Sequence, residues 1–254
     1  MNETSARKVL LEAVGLTKAW DGTAVVRDVS FAVHAGEMLA LIGPNGAGKS
    51  TCFDMLTGQT PPDIGTVRIL GHDVVGRPPE QIWRLGVGRT FQVAATFASM
   101  SVVENVQAAL LSHAGRLPGA GLCALTARAA DLLRSQALAL LDQVGMSAQA
   151  DRSCGVLAYG DIKRVELALA LANRPRVLLM DEPTAGMSPD ERAQMMRLVS
   201  ALADREQIAV LFTEHDMDTV FGFADRVLVL HHGQLIADGA PDIVRADARV
   251  REVY

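Results

Sequence analysis

The 254-residue chain predicts an α/β fold: a mostly parallel sheet with helices packed on it, an antiparallel β-layer beside that core, and an inserted helical subdomain. Three observations lead there. The run Gly43-Pro44-Asn45-Gly46-Ala47-Gly48-Lys49-Ser50 follows the apolar stretch Met38–Ile42 and precedes a helix-compatible segment, giving the strand, loop and helix that a phosphate-binding loop requires. Farther on, apolar strands alternate with helical segments, the pattern of a parallel sheet. Between these parts, from Val93 to Ala150, the chain turns Ala- and Leu-rich with helical patterning.

The elements follow in order. Alternating β-like runs at Leu10–Leu16, Ala24–Val33 and Thr66–Leu70 are separated by the turn formers Asp21-Gly22 and Ala35-Gly36, which suggests the antiparallel layer. Met38–Ile42 reads as a buried strand, and Lys49–Leu56 as a helix stopped by Gly58. The helical block is interrupted by a loop at Gly115–Gly121 containing Pro118. Strand Val177–Met180 comes next, then a helix from Pro189 with Ser188 as cap and Glu191 completing a capping box. Strands Ile208–Phe212 and Val227–Leu230 follow, and His231-His232-Gly233-Gln234 reads as a hairpin turn. The paired histidines lack the further ligands a metal site needs.

Composition bounds the function. With 49% apolar residues the chain can bury one core and a smaller satellite. No run reaches the roughly eighteen apolar residues of a membrane span, and Met1–Ser5 lacks the apolar region of a signal peptide, so a cytoplasmic protein is expected. A net charge of −5 argues against a broad nucleic-acid footprint, and no nucleic-acid partner is expected. Cys52, Cys123 and Cys154 share no metal-ligand spacing and read as small buried thiols.

The chemistry begins at the glycine-rich loop. Gly43, Gly46 and Gly48 let successive backbone N–H groups point at a polyphosphate, and the helix starting near Lys49 adds its positive end. Lys49 reaches the β- and γ-phosphates, the Ser50 hydroxyl ligates a bridging Mg²⁺, and Thr51 continues the helix. Val177–Met180 ends in Asp181-Glu182, two carboxylates at the edge where open α/β sheets bind ligands. Asp181 suits the Mg²⁺, and Glu182 can polarise an attacking water. After the next strand His215 reaches the same edge, a position that fits a phosphate contact and a surface histidine equally well.

Taken together, Gly43–Ser50, Gln92 in Arg89-Thr90-Phe91-Gln92, Leu157-Ala158-Tyr159-Gly160-Asp161 upstream of Asp181-Glu182, and His215 resemble an ABC transporter ATPase subunit, over nearly the whole chain. The resemblance implies a P-loop NTPase core at 1–92 and 165–254, with a helical subdomain at 93–164 of one domain. It also implies ATP and Mg²⁺ as ligands, with Gln92 approaching the metal and the reacting water. Trp20 falls where the family stacks an aromatic ring on adenine, although a lone Trp in a β-layer also suits a core. Leu157–Asp161 begin the helix Ile162–Asn173 and, in the family, close on the nucleotide held by an opposite subunit. Three departures from Leu-Ser-Gly-Gly-Gln stand here: Ala158 lacks the serine hydroxyl, Tyr159 replaces glycine and Asp161 replaces glutamine. Ala185-Gly186-Met187-Ser188 likewise departs from Ser-Ala-Leu-Asp.

The forms Arg-Thr-Phe-Gln, Leu-Ala-Tyr-Gly, Ala-Gly-Met-Ser-Pro and Glu-His-Asp-Met resemble the ATPases of branched-chain amino acid importers. That resemblance implies a homodimer, or a heterodimer with a similar subunit, peripheral on the inner face of the membrane. The implied partners are an integral membrane permease and, indirectly, a periplasmic or extracellular solute-binding protein. A lipid or polysaccharide exporter ATPase shares the motifs, and a non-transport ABC ATPase is a further alternative.

Overall fold

The computed structural model describes residues 7–90, 96–114 and 127–254. In chain order the elements are β1 (Val9–Trp20), β2 (Thr23–His34), β3 (Met38–Ile42), α1 (Lys49–Leu56), β4 (Ile64–Ile69), β5 (His72–Asp73), α2 (Pro79–Arg84) and β6 (Val87–Thr90). Next come α3 (Val102–His113), α4 (Ala127–Gln143), α5 (Tyr159–Leu171), β7 (Val177–Asp181) and α6 (Pro189–Glu206). The chain ends with β8 (Ala209–Thr213), α7 (Met217–Phe223), β9 (Arg226–His231), β10 (Gln234–Gly239), α8 (Pro241–Ala246) and α9 (Ala248–Val253).

The antiparallel layer has the order β2-β1-β4-β5. Its long hairpin turns at Asp21-Gly22, both residues having positive φ, as a tight turn matched to strand twist requires. The central sheet runs β10-β9-β3-β8-β7-β6, parallel from β9 to β6, with β10 added antiparallel. His232-Gly233 make the β9–β10 turn that the sequence indicates.

Every residue of β3 and β8 is buried, because the sheet is covered on both faces. Period-two alternation sends Met38, Ala40 and Ile42 into a core shared with α3, α4, α5 and α6, and Leu39 and Leu41 into one shared with α1 and the antiparallel layer. Strands β7, β8 and β9 divide their residues the same way.

Helix α6 starts as expected: Ser188 accepts from Glu191 N–H while the Glu191 carboxylate takes the Ser188 N–H at 2.9 Å. An unforeseen capping box, Ser101 with Glu104, starts α3. Helix α5 begins at Tyr159, three residues earlier than expected, and ends at Leu171. Asn173 instead leaves the helix and ties the end of α5 to α2 and β6 through the Trp83 and Val87 carbonyls at 2.7 and 3.1 Å. The expected loop at 115–121, Cys123, and the start of the helical block at 93 lie outside the described residues.

Candidate active site

Parallel pairing brings the ends of β3, β7 and β8 to one edge of the central sheet. Gly43 leaves β3 so close to β9 that a Cβ there would lie 2.2 Å from the Leu230 carbonyl. Gly48, the N-cap of α1 with φ 104°, is equally confined, since a Cβ would meet the Val25 carbonyl at 2.7 Å. The intervening backbone is pinned from outside: Gly233 N–H donates to the Ala47 carbonyl (3.0 Å), and the Gly233 carbonyl accepts from Arg27 N–H (2.8 Å). Tyr254 brings its hydroxyl to the Gly43 backbone.

Lys49 folds back along the loop and donates to the carbonyls of Gly43 (2.6 Å) and Pro44 (3.2 Å). Burial draws its pKa below the usual lysine value, opposed by the carboxylates of Glu182 and Asp181. Lys49 is therefore the electrostatic bridge between the loop and the acidic strand end. Ser50 and Thr51 occupy the first turn of α1, where unpaired N–H groups and the helix dipole favour an anion.

Asp181 ends β7 opposite Thr213 of β8. The Thr213 hydroxyl donates to Asp181 Oδ1 at 2.6 Å and accepts the Glu182 N–H at 3.0 Å, so one side chain orients both acidic residues. Glu182 adopts φ 48°, a conformation that costs about 1–3 kcal/mol in a residue other than glycine and recurs at functional sites. Its Oε1 lies 2.9 Å from His215 Nε2. A carboxylate held on an imidazole can take a proton from water while the imidazole orients the reacting group.

Behind this pair Glu214 is buried, and its Oε1 accepts from Thr184 N–H (2.9 Å) and Oγ1 (2.6 Å). Desolvation holds the Glu214 pKa above the ordinary carboxylate value despite those bonds. Asp216 caps α7 through Thr219, an arrangement that lowers its pKa, and pairs with Arg192 of α6.

The structure thus brings Gly43–Thr51, Asp181, Glu182 and His215 to one edge. Trp20 ends β1 at the hairpin turn, 51% exposed beneath the Lys18 ammonium, and so stands outside the core. Gln92 lies outside the described residues; β6, which leads to it, places Thr90 opposite Met180, one residue before Asp181. Leu157–Asp161 lead into α5, which begins at Tyr159 with Ala158 as an N-cap that offers no side-chain bond. There Tyr159 lies on Gly186, where a Cβ would be 3.2 Å from the ring, and Gly160 faces Glu191. Sequence reasoning missed Thr213, Thr184, Glu214 and Tyr254; only the strand end Thr213-Glu214 beside His215 offered a signal.

A phosphate-binding loop at the end of a central parallel strand, facing carboxylates from the end of another, defines a P-loop nucleoside triphosphatase. The profile of the ABC transporter family matches residues 26–185, and the chain belongs to that family. It is 37% identical over 247 residues to the high-affinity branched-chain amino acid transport ATP-binding protein BraF of Pseudomonas aeruginosa, covering 96% of this chain and 97% of that one. Against LivG of Escherichia coli, which carries the same description, identity is 36% over 251 residues, at 96% and 97% coverage. Among solved structures, the ADP conformation of an ATP-binding cassette of an ABC transporter superposes with a TM-score of 0.83 at 28% identity, covering 97% of this chain and 98% of that one. A nucleotide-free ATP-binding cassette superposes with a TM-score of 0.82 at 29% identity, with the same coverage.

Proposed function

We propose that the chain is the ATP-hydrolysing subunit of an importer that takes up branched-chain amino acids or a related small polar solute. The observation that carries the chemistry is the 2.9 Å contact of His215 with Glu182, at the edge where Lys49 feels both Glu182 and Asp181. The cargo class rests on the relatives that span nearly the whole chain.

In this reading the Gly43–Thr51 backbone and Lys49 hold the triphosphate, and Trp20 stacks on adenine from the exposed end of the β-layer. Glu182 takes the proton of the attacking water, while His215 steadies Glu182 and contacts the γ-phosphate. The donor set suits Mg²⁺: the Ser50 hydroxyl and the Asp181 carboxylate are hard oxygen ligands, joined by the amide of Gln92. Among the described residues no cluster of three or more His, Cys, Asp or Glu could hold a metal. When bound, the ion would neutralise charge on the phosphates. Two subunits, identical or similar, pair so that Leu157–Asp161 of one close the nucleotide of the other. The uncapped N-terminus of α5 supplies N–H groups there, and Asp161 turns away from the phosphate.

Among the described residues no helix is long and apolar enough to cross a membrane; in this reading the chain works with an integral membrane permease, as its ABC transporter family suggests. A groove of about 510 Å³ between α2, β6, α3 and α5, walled by Ile82, Trp83, Val87 and Leu169 and edged by Glu80 and Arg89, is a fitting seat for it. The groove adjoins Thr90, the residue from which the chain continues to Gln92, so permease contact and nucleotide state are coupled through that segment. The subunit then works at the inner face of the membrane with this groove, at the border of the core and the helical subdomain, toward the permease, and a solute-binding protein acts on it only through the permease.

The test is Glu182→Gln. This variant binds ATP with wild-type affinity, forms a long-lived ATP-bound dimer and loses turnover by about two or more orders of magnitude. Steady-state hydrolysis with size-exclusion chromatography reads both effects, and undiminished turnover refutes the assignment.

A further inference from the structure

We propose that Glu214 is a positioning residue whose buried carboxylate clasps Thr184 and locks the His215 loop to the 182–188 segment, making the Glu182–His215 geometry depend on what lies against Tyr159 and Gly160. The proposal rests on the reading of Glu182 and His215 as the hydrolytic pair.

Glu214 is 5% exposed and Thr184 1% exposed, so the carboxylate is satisfied by protein groups rather than by open solvent. One oxygen takes both the N–H and the hydroxyl of a single residue, at 2.9 and 2.6 Å, and the His215 N–H is directed at the same carboxylate. If the contact served only to fill space, an apolar side chain would do so without desolvating a charge. Paired donors fix a direction as well as a distance, and here the direction is set one residue before His215.

The other end of the clasp leads to the start of α5. Thr184 belongs to two successive turns, Ala185 N–H to the Glu182 carbonyl (3.2 Å) and Met187 N–H to the Thr184 carbonyl (3.1 Å), so Glu182 and Gly186 move with it. Gly186, at φ 77°, carries the Tyr159 ring on its Cα. Gly160 rests on Glu191, which is itself fixed by Ser188, and Arg164 of α5 bonds Gln194 of α6 at 2.9 Å. A displacement of Tyr159–Asp161 therefore passes through Gly186 and Thr184 to Glu214 and His215 without crossing a mobile gap. Tyr159 supplies a contact that a residue without a side chain could not make.

The test compares Thr184→Val, which keeps shape and removes the hydroxyl, with Thr184→Ser, which keeps the hydroxyl; Thr184→Ala replaces the valine variant should that one not fold. In nucleotide-free protein carrying ¹³C-labelled histidine, the His215 ring resonance moves in Thr184→Val and returns to its wild-type position in Thr184→Ser. With ATP, Thr184→Val lowers kcat by about tenfold or more while KM stays within about twofold, and Thr184→Ser restores kcat. A His215 resonance that coincides in wild type, Thr184→Val and Thr184→Ser overturns the clasp, as does a loss of turnover that serine fails to rescue. Equal ATP turnover by wild type and Glu182→Gln refutes the hydrolytic reading instead, and the resonance comparison then decides the clasp by itself.

Discussion

Thr213 shows how a residue of ordinary type acquires an exacting position. Its hydroxyl is at once the donor to Asp181 and the acceptor of the Glu182 N–H, so it holds two carboxylates and helps keep Glu182 at positive φ. Thr213→Val removes both bonds inside a buried strand end and leaves the Glu182 N–H without this acceptor. The expected loss is about 1–3 kcal/mol of stability, read from urea unfolding, together with lower kcat. The sequence offered only the position of Thr213 at a strand end beside His215, because threonine closing a strand is common and its partners are set by the β7–β8 register. Gly43, Lys49, Asp181 and Glu182 stand in local motifs whose spacing restricts their geometry, whereas the position of His215 suited a phosphate contact and a surface histidine equally well until the fold set it on Glu182.

Helix starts give the element scale its clearest consequence. Glu104 and Glu191 close capping boxes on α3 and α6, and Asp216 caps α7. Bonds from Ser101, Ser188 and Thr219 hold the three carboxylates below their ordinary values of 4.5, 4.5 and 3.8. With folded pKa values below unfolded ones, the unfolded chain binds more protons across that window. The contribution is complete above the unfolded values and is lost as pH falls through the folded ones. Urea midpoints followed against pH should therefore fall steeply below about pH 4.5 in the wild type. Glu104→Gln, Glu191→Gln and Asp216→Asn combined should start lower at neutral pH and fall less. The Ser188-Pro189-Glu191 pattern made α6 readable in advance, whereas β6 was not. Its four residues, Val87-Gly88-Arg89-Thr90, show no apolar alternation and form a strand because β7 is there to pair with. The start of α5 was misplaced for a related reason: Ala158 is a weak N-cap, and tertiary contacts of Tyr159 and Gly160 fix the boundary instead.

At the scale of the molecule, the layer plan was legible because its signals are periodic: alternation in the β-layer, buried runs in the central sheet, helical spacing between. The ties among distant segments were not, since backbone bonds such as Gly233 to Ala47 and Arg27 to Gly233 carry no side-chain signature. Those ties also order events in time. The phosphate loop lies near the start of the chain, yet β3 is flanked by β8 and β9, and the loop is braced by the turn after β9. A chain emerging from the ribosome therefore carries the complete loop sequence long before it can hold a nucleotide. Released chains ending before residue 226 should fail to retain a fluorescent ATP analogue that chains reaching beyond residue 239 retain, so ATP can act as a ligand for folding only once β9 and the turn after it are free to pair.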